Sequence, residues 1–167
     1  IVIGREARQH LDLDEGGAPP GFVRSPKMSL RRHGPIYVDG RPIDPEEAVS
    51  KVLTHLKADG AIARERAAGM TIDRAVMTIP VDFGGPERRS LRQAAQMAGI
   101  SVVQFVHEPA AALYGYLRSM PEPDMTRELA RLEGRSVMVF DWGGGTLDLT
   151  LCKIQGGAIL QVANAGD

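Results

Sequence analysis

The sequence predicts a mixed α/β protein built around more than one sheet, and three stretches carry that prediction. Residues 74–117 alternate strand, helix, strand, helix, and a strand–helix–strand passage implies a parallel pair in an α/β sheet. Residues 136–167 hold three strand-like runs whose connections are too short for crossover helices, so an antiparallel meander is expected. Residues 36–43, "IYVDGRPI", set Asp-Gly between two short apolar segments, a hairpin signal, and a long amphipathic helix follows.

Composition narrows the class. At 167 residues the chain is long enough for one domain with a core, or for pieces of two. Lys plus Arg number 20 against 21 Asp plus Glu, so nothing electrostatic calls for nucleic acid or an anionic membrane as partner. No apolar stretch approaches the ~20 residues that span a bilayer, and no signal peptide opens the chain, so a reducing, cytoplasmic setting is expected. A single cysteine, Cys152, excludes an intramolecular disulfide and reads as a small apolar strand residue rather than a reactive thiol. The chain starts at Ile1 inside an apolar triplet and reads as an excised piece.

Taken in order, Ile1–Ile3 reads as a strand end, Arg5–Leu13 as a short polar helix or turn, and Asp14–Gly21 as a turn-rich loop. After the hairpin, Asp44 is a candidate cap, Pro45 suits the first helical position and Glu47 completes a capping box. Ala48, Val49, Val52, Leu53 and Leu56 then share one helical face, and the helix ends by Gly69. Arg74–Val81 is apolar, β-branched and bounded by proline, hence a buried strand. Gly85–Gly99 is a helix with Pro86 near its start and Gly99 as its cap. Ser101–Glu108 is a strand and Pro109–Leu117 a helix. Arg118–Arg135 is polar, carries Pro121 and Pro123, and is expected to be a surface loop with one turn of helix at most. Ser136–Asp141, Leu147–Ile154 and Ala158–Asp167 form the meander.

The chemistry concentrates in "VFDWGGGTLDLT", residues 139–150. Two readings meet at its glycines. In one they permit the positive φ of a bulged hairpin turn. In the other they form a phosphate cradle, because without Cβ atoms successive N–H groups converge on an anion. A third glycine is surplus to a turn, and Thr146 adds a hydroxyl. Asp141, at the end of an apolar strand, is well placed for a hydrated Mg²⁺, which keeps its waters and accepts one or two carboxylates. A Walker-type loop is excluded, since it needs a lysine followed by Ser or Thr and then a helix. Here a strand follows.

These residues resemble the second phosphate loop of the 70-kDa heat-shock (DnaK-type) chaperones, within the superfamily that also holds actin and sugar kinases. "AVMTIPVDFGGPERRSLRQAAQMAGISVVQFVHEPAAALYGY" is similar to that family's strand–helix–strand–helix segment. "IYVDGRPIDPEEAVSKVLTHLK" resembles its hairpin and helix, while "IVIGREAR", "VRSPKMSLRR" and "QVANAGD" resemble further stretches in the same order. The implied fold is a partial actin-like ATPase (ribonuclease H-like) α/β fold, mixed sheets with flanking helices. Residues 1–73 would be the upper subdomain of its first lobe, 74–134 the C-terminal half of the lower subdomain, and 135–167 the opening meander of the second lobe.

The resemblance implies ATP or ADP as ligand, with Mg²⁺ bridging the terminal phosphates. Asp141 would reach the metal through water, and Gly143, Gly144, Gly145 and Thr146 would contact the phosphates. Asp148 would lie near the attacking water or an associated cation such as K⁺; otherwise it is a solvent-facing strand residue. Glu108 would join the metal and water shell, a task compatible with a carboxylate at a helix start. Lys27 would position the γ-phosphate and water, although its neighbours do not match and a loop lysine is otherwise simply solvated. Pro80 and Arg88 would relay nucleotide state to a peptide-binding domain; otherwise they end a strand and decorate a helix.

His107, Ala110, Trp142 and "DFGG" depart from the family pattern, and the first two sit beside the implied metal shell. The family's first phosphate loop, "DLGTT" or similar, has no match in residues 1–167. The expectation is therefore a stress-response chaperone's ATPase module whose isolated piece is inactive. Its implied partners are a peptide-binding domain, a co-chaperone and a nucleotide-exchange factor, and its unpaired strand edges invite association. Two alternatives stay open: a non-hydrolysing nucleotide sensor or scaffold, and another actin-like superfamily ATPase, a filament protein or sugar kinase.

Overall fold

The structure, a computed structural model, describes residues 3–4, 6–7, 9, 21–23, 25–31, 34–65, 72–142 and 147–166, the side chains of 60–65 excepted. Most of the expected strand end at Ile1–Ile3, most of Arg5–Leu13 and of Asp14–Gly21, and the helix end at Gly69 lie outside the described residues. In order, the elements are α1 (Pro26–Ser29), β1 (Ile36–Val38), β2 (Arg41–Ile43), α2 (Pro45–Glu65), β3 (Arg74–Ile79), α3 (Gly85–Met97), β4 (Ser101–His107), α4 (Glu108–Arg118), α5 (Glu122–Leu132), β5 (Ser136–Trp142), β6 (Leu147–Gln155) and β7 (Ala158–Gly166). Among the described residues these form three sheets, β1–β2, β3–β4 and β5–β6–β7, so the mixed α/β expectation holds. Two compact units divide the chain: Ile1–Val76 with Phe83–Gln104, and Met77–Asp82 with Phe105–Asp167.

In the first unit, β1 and β2 pair antiparallel with Ile36 opposite Ile43. Their turn uses positive φ at both central residues, 51° at Asp39 and 73° at Gly40, which matches the right-handed twist of the strands. The helix α2 then buries Val49, but Leu56 is 57% exposed, contrary to the face read from the sequence. The seam instead continues to Lys57, two turns beyond Val49, whose ammonium donates to Gly99 O at 2.9 Å. A cation there meets the negative end of α3.

That end is closed by the expected glycine. Gly99 adopts φ 67°, its N–H bonds Gln96 O, and Ile100 N–H bonds Ala95 O, the paired bonds of a Schellman cap. Leu91, Ala94 and Ala95 form the buried stripe of α3, and Arg92 donates to Val102 O of β4 at 3.0 Å. β3 and β4 are hydrogen-bonded neighbours joined through α3, the kind of connection a parallel pair requires.

In the second unit the meander follows the expected order. Val139 stands opposite Thr150 and Val137 opposite Cys152 in the β5–β6 register, while β6 pairs β7 with a bulge at Leu151/Cys152. The inner face packs on α4 and α5 through Leu113, Leu117, Leu132, Cys152 and Ile154. The outer face leaves Met138, Phe140, Trp142, Leu151 and Leu160 exposed. The β6–β7 turn again takes positive φ at Gly156 and Gly157, and Gly156 N–H donates to the Glu133 carboxylate at 2.7 Å.

Another expectation fails. Arg118–Arg135 is not a loop with a single turn; it contains α5, an 11-residue helix. Its charged residues hide the helix in the sequence, but Met125, Leu129 and Leu132 recur on one face and pack into the core. The outer face is laced by Arg127–Asp124, Arg118–Glu122 and a two-pronged Arg131–Glu128 pair. Hydrogen bonding from Arg131 holds the Glu128 carboxyl below its ordinary range, with the guanidinium charge adding to it.

Candidate functional site

The strand register brings the two aspartates together. Asp141 and Asp148 are direct partners across β5–β6, one step beyond the inward-facing Val139–Thr150 pair. Alternation therefore puts both carboxylates on the face that carries Thr150, Cys152 and Ile154, at the end where the core gives way to solvent. Asp141 is exposed and Asp148 half-buried. Gly143, Gly144, Gly145 and Thr146, which join them, lie outside the described residues.

A residue absent from the sequence reading shapes this end of the sheet. Gly166 of β7 pairs with Asp148, and a Cβ built on it would lie 2.6 Å from Asp148 Oδ1 and 2.6 Å from Leu147 O. The space a side chain would fill is thus taken by the Asp148 carboxylate. Glycine inside a strand run is itself a sign of close approach, and that signal was available at "NAGD".

Glu108 is the first residue of α4, with Pro109 next and His107 extended at the cap position. No side chain caps the helix start. His107 Nδ1 bonds Gln161 Oε1 of β7 at 2.7 Å, so the ring ties the entry of α4 to the meander instead. Glu108 is half-buried there, in the same compact unit as Asp141 and Asp148. Pro80 also belongs to this unit and follows β3 directly, ending that strand at Ile79.

Lys27 and Arg88 belong to the other unit, and both meet Phe83. Lys27 Nζ lies 5.9 Å from the Phe83 ring centroid, and Arg88 Nε donates to Phe83 O at 2.9 Å. Lys27 sits on the single helical turn α1, after Ser25 in the left-handed region at φ 46° and the rigid Pro26. Phe83 is the second residue the sequence reading passed over; its neighbours registered only as a departure from pattern.

Cys152 is buried, and burial pushes its thiol above the usual range, so it stays protonated and inert. Thr150 Oγ1, on the same face two residues from Asp148, is buried without a hydrogen-bond partner. A cavity of about 410 Å³ between α4, α5 and β5 is lined by Leu113, Tyr116, Arg131 and Val139 among others, and by none of the candidate site residues.

The residues fit a hydrated divalent cation shared with phosphate. Mg²⁺ takes one or two carboxylates and completes its shell with water and phosphate oxygens, and the facing Asp141 and Asp148 offer carboxylates of that kind. Among the described residues, no three of His, Cys, Asp and Glu gather into a metal cage. No described helix is long and apolar enough to cross a membrane.

Comparison with known proteins gives a consistent result. The family described as Hsp70 protein matches residues 28–167. The "Chaperone protein DnaK" of Methanothermobacter thermautotrophicus is 30% identical over all 167 residues, which cover 25% of that protein. Proteins of the same name from Nitrosopumilus maritimus and Mycoplasmopsis pulmonis are each 26% identical over the whole chain, which covers 23% and 25% of them. The chain thus spans about a quarter of the length of these relatives.

Proposed function

Because the chain belongs to the Hsp70 protein family, we propose that it is part of an ATP-binding and ATP-hydrolysing domain whose nucleotide state governs peptide binding elsewhere in the protein. In this reading residues 1–73, 74–134 and 135–167 are the three structural portions, and 143–146 is the phosphate loop. A co-chaperone and a nucleotide-exchange factor are the proposed partners, in a cytoplasmic protein of the stress response.

The observation that carries the reading is the Asp141–Asp148 pair bracketing Gly143–Thr146 at the open end of the meander. Opposed carboxylates repel when nothing lies between them, and a divalent cation with its waters turns that repulsion into attraction. Asp141 would hold one edge of the water shell, Asp148 would orient the attacking water or a K⁺ ion, and Glu108 would complete the shell from the start of α4. Gly143, Gly144 and Gly145 would offer N–H groups to phosphate oxygens, with the Thr146 hydroxyl beside them. Mg²⁺, when bound, neutralises charge on the β- and γ-phosphates. Lys27 would stabilise the charge that spreads over the γ-phosphoryl oxygens during transfer. Pro80 and Arg88 would pass nucleotide state onward.

Single-turnover hydrolysis of Mg-ATP by the full-length protein tests this. Wild type should hydrolyse ATP, and Asp141→Ala should slow the step by ~100-fold or more, the scale of losing one preorganised charge-stabilising group. Equal, negligible rates for both would identify a non-hydrolysing nucleotide sensor.

A further inference from the structure

Strand β7 meets the proposed site at two places, and an extra residue sets the interval between them. Cys152 stands opposite Gln161, but Leu151 stands opposite Ala163, so Val162 is left over and β7 bulges there. Beyond the bulge the register runs on to set Gly166 opposite Asp148. Without the extra residue Ala165 would stand there, where the Cβ built on Gly166 already meets Asp148 Oδ1 at 2.6 Å. Before the bulge, Gln161 shares the inner face with its partner Cys152, and its Oε1 accepts from His107 Nδ1–H at 2.7 Å. Bulges recur beside active sites because they re-aim a side chain in this way. Helix α4 packs against β7, so the bond joins elements already in contact.

We infer that Gln161 is a positioning residue for Glu108, acting through the His107 imidazole. The inference rests on the reading of Glu108 as part of the metal and water shell, and deepens it. His107 and Glu108 are consecutive, so their Cα atoms stand ~3.8 Å apart whatever else moves. An imidazole hangs on only two side-chain torsions, so a bond at Nδ1 leaves the backbone beneath it little latitude. His107 is extended at φ −67° and ψ 137°, and Glu108 opens α4 immediately after it. The direction in which the Glu108 carboxylate leaves the helix is thereby referred to β7, the strand whose Gly166 lies against Asp148. The same bond selects a tautomer: a carbonyl oxygen can only accept, so Nδ1 carries the proton. One strand thus serves both carboxylates, and its bulge keeps them in step.

The test uses the full-length protein, with single-turnover ATP hydrolysis and the ATP dissociation constant measured separately. NMR of the histidine ring nitrogens is recorded without nucleotide. Gln161→Met keeps the length of the side chain and removes the acceptor. It should slow hydrolysis about tenfold, the lower end of the loss when an outer partner of a metal site is removed, while ATP affinity stays within about twofold. In a Glu108→Gln background, Gln161→Met should slow the reaction no further, because both changes act through one group. Wild-type hydrolysis by Gln161→Met beside a slow Glu108→Gln overturns the inference. So does an equal slowing in both backgrounds, which is what a merely structural tie would give. In mildly alkaline buffer, where imidazole is neutral, His107 should carry its proton on Nδ1 and shift towards the Nε2 tautomer in Gln161→Met. Should the wild type hydrolyse no ATP, or Glu108→Gln leave its rate unchanged, the reading of Glu108 fails and NMR alone decides the positioning. A tautomer shift in Gln161→Met accompanied by movement of the Glu108 amide resonance upholds it; an unchanged ring or an unmoved amide overturns it. If Gln161→Met does not fold, Gln161→Asn, whose acceptor stops one carbon short, gives the same comparison.

Discussion

Asp141 and Asp148 face one another across β5 and β6, two like charges in direct register at the mouth of the sheet's inner face. Directly opposed like charges weaken an antiparallel pair by roughly 0.2–1 kcal/mol. Asp148→Asn should therefore raise the thermal midpoint of the metal-free chain slightly. If the proposed function holds, the same change should remove the stabilisation expected from Mg²⁺ and ATP together, which for a ligand at 100-fold its dissociation constant is about 2.7 kcal/mol. Calorimetric scans with and without Mg-ATP measure both effects, and they run in opposite directions.

Gly166 is expected to tolerate no side chain. The first atom of an alanine would lie 2.6 Å from Leu147 O, a backbone atom that cannot rotate away. Gly166→Ala should cost about 1–3 kcal/mol, the usual range for overpacking, and should shift the backbone amide resonances of Leu147 and Asp148 most. Urea unfolding gives the first quantity and a heteronuclear correlation spectrum the second.

Thr150 carries the opposite opportunity. Its hydroxyl is buried without a partner, so folding removes it from water with no return. Thr150→Val keeps the shape and deletes the orphan group, and should stabilise the protein by about 1 kcal/mol, read as a raised urea midpoint with unchanged slope.

Cys152 should be silent towards thiol reagents in the native state and react fully on unfolding. Its raised pKa also fixes a sign: the folded state holds the thiol proton more tightly than the unfolded chain does. Stability from this group is therefore complete below the ordinary thiol pKa and is lost as pH rises above it. Unfolding measured between pH 7 and pH 10 gives the slope, and Cys152→Ala should flatten it.

Much of this was legible because it is local. Asp39-Gly40 declares its own turn, Gly99 its own cap, and the short connections around β6 dictate antiparallel pairing before any tertiary contact forms. The facing aspartates follow from the same logic, since a hairpin closing on residues 142 and 147 sets 141 opposite 148. What escaped depends on distant partners. The α5 helix has two prolines near its start and a charged majority, and its apolar stripe gains meaning only against Leu117 and Ile154. Leu56 looked like a core residue until Lys57 took the seam to cap a helix more than forty residues on. Phe83 and Gly166 matter through what approaches them from elsewhere in the chain.

Trp142 is the only tryptophan in the sequence, 81% exposed, edge-on to Phe140 at 6.5 Å, and follows Asp141 directly. An indole so placed emits from a wet environment, and its spectrum responds to whatever changes the water or charge around the neighbouring loop. The protein thus carries a native optical reporter beside the residues proposed to hold phosphate, readable in a fluorimeter without a label and without altering a single atom of the site.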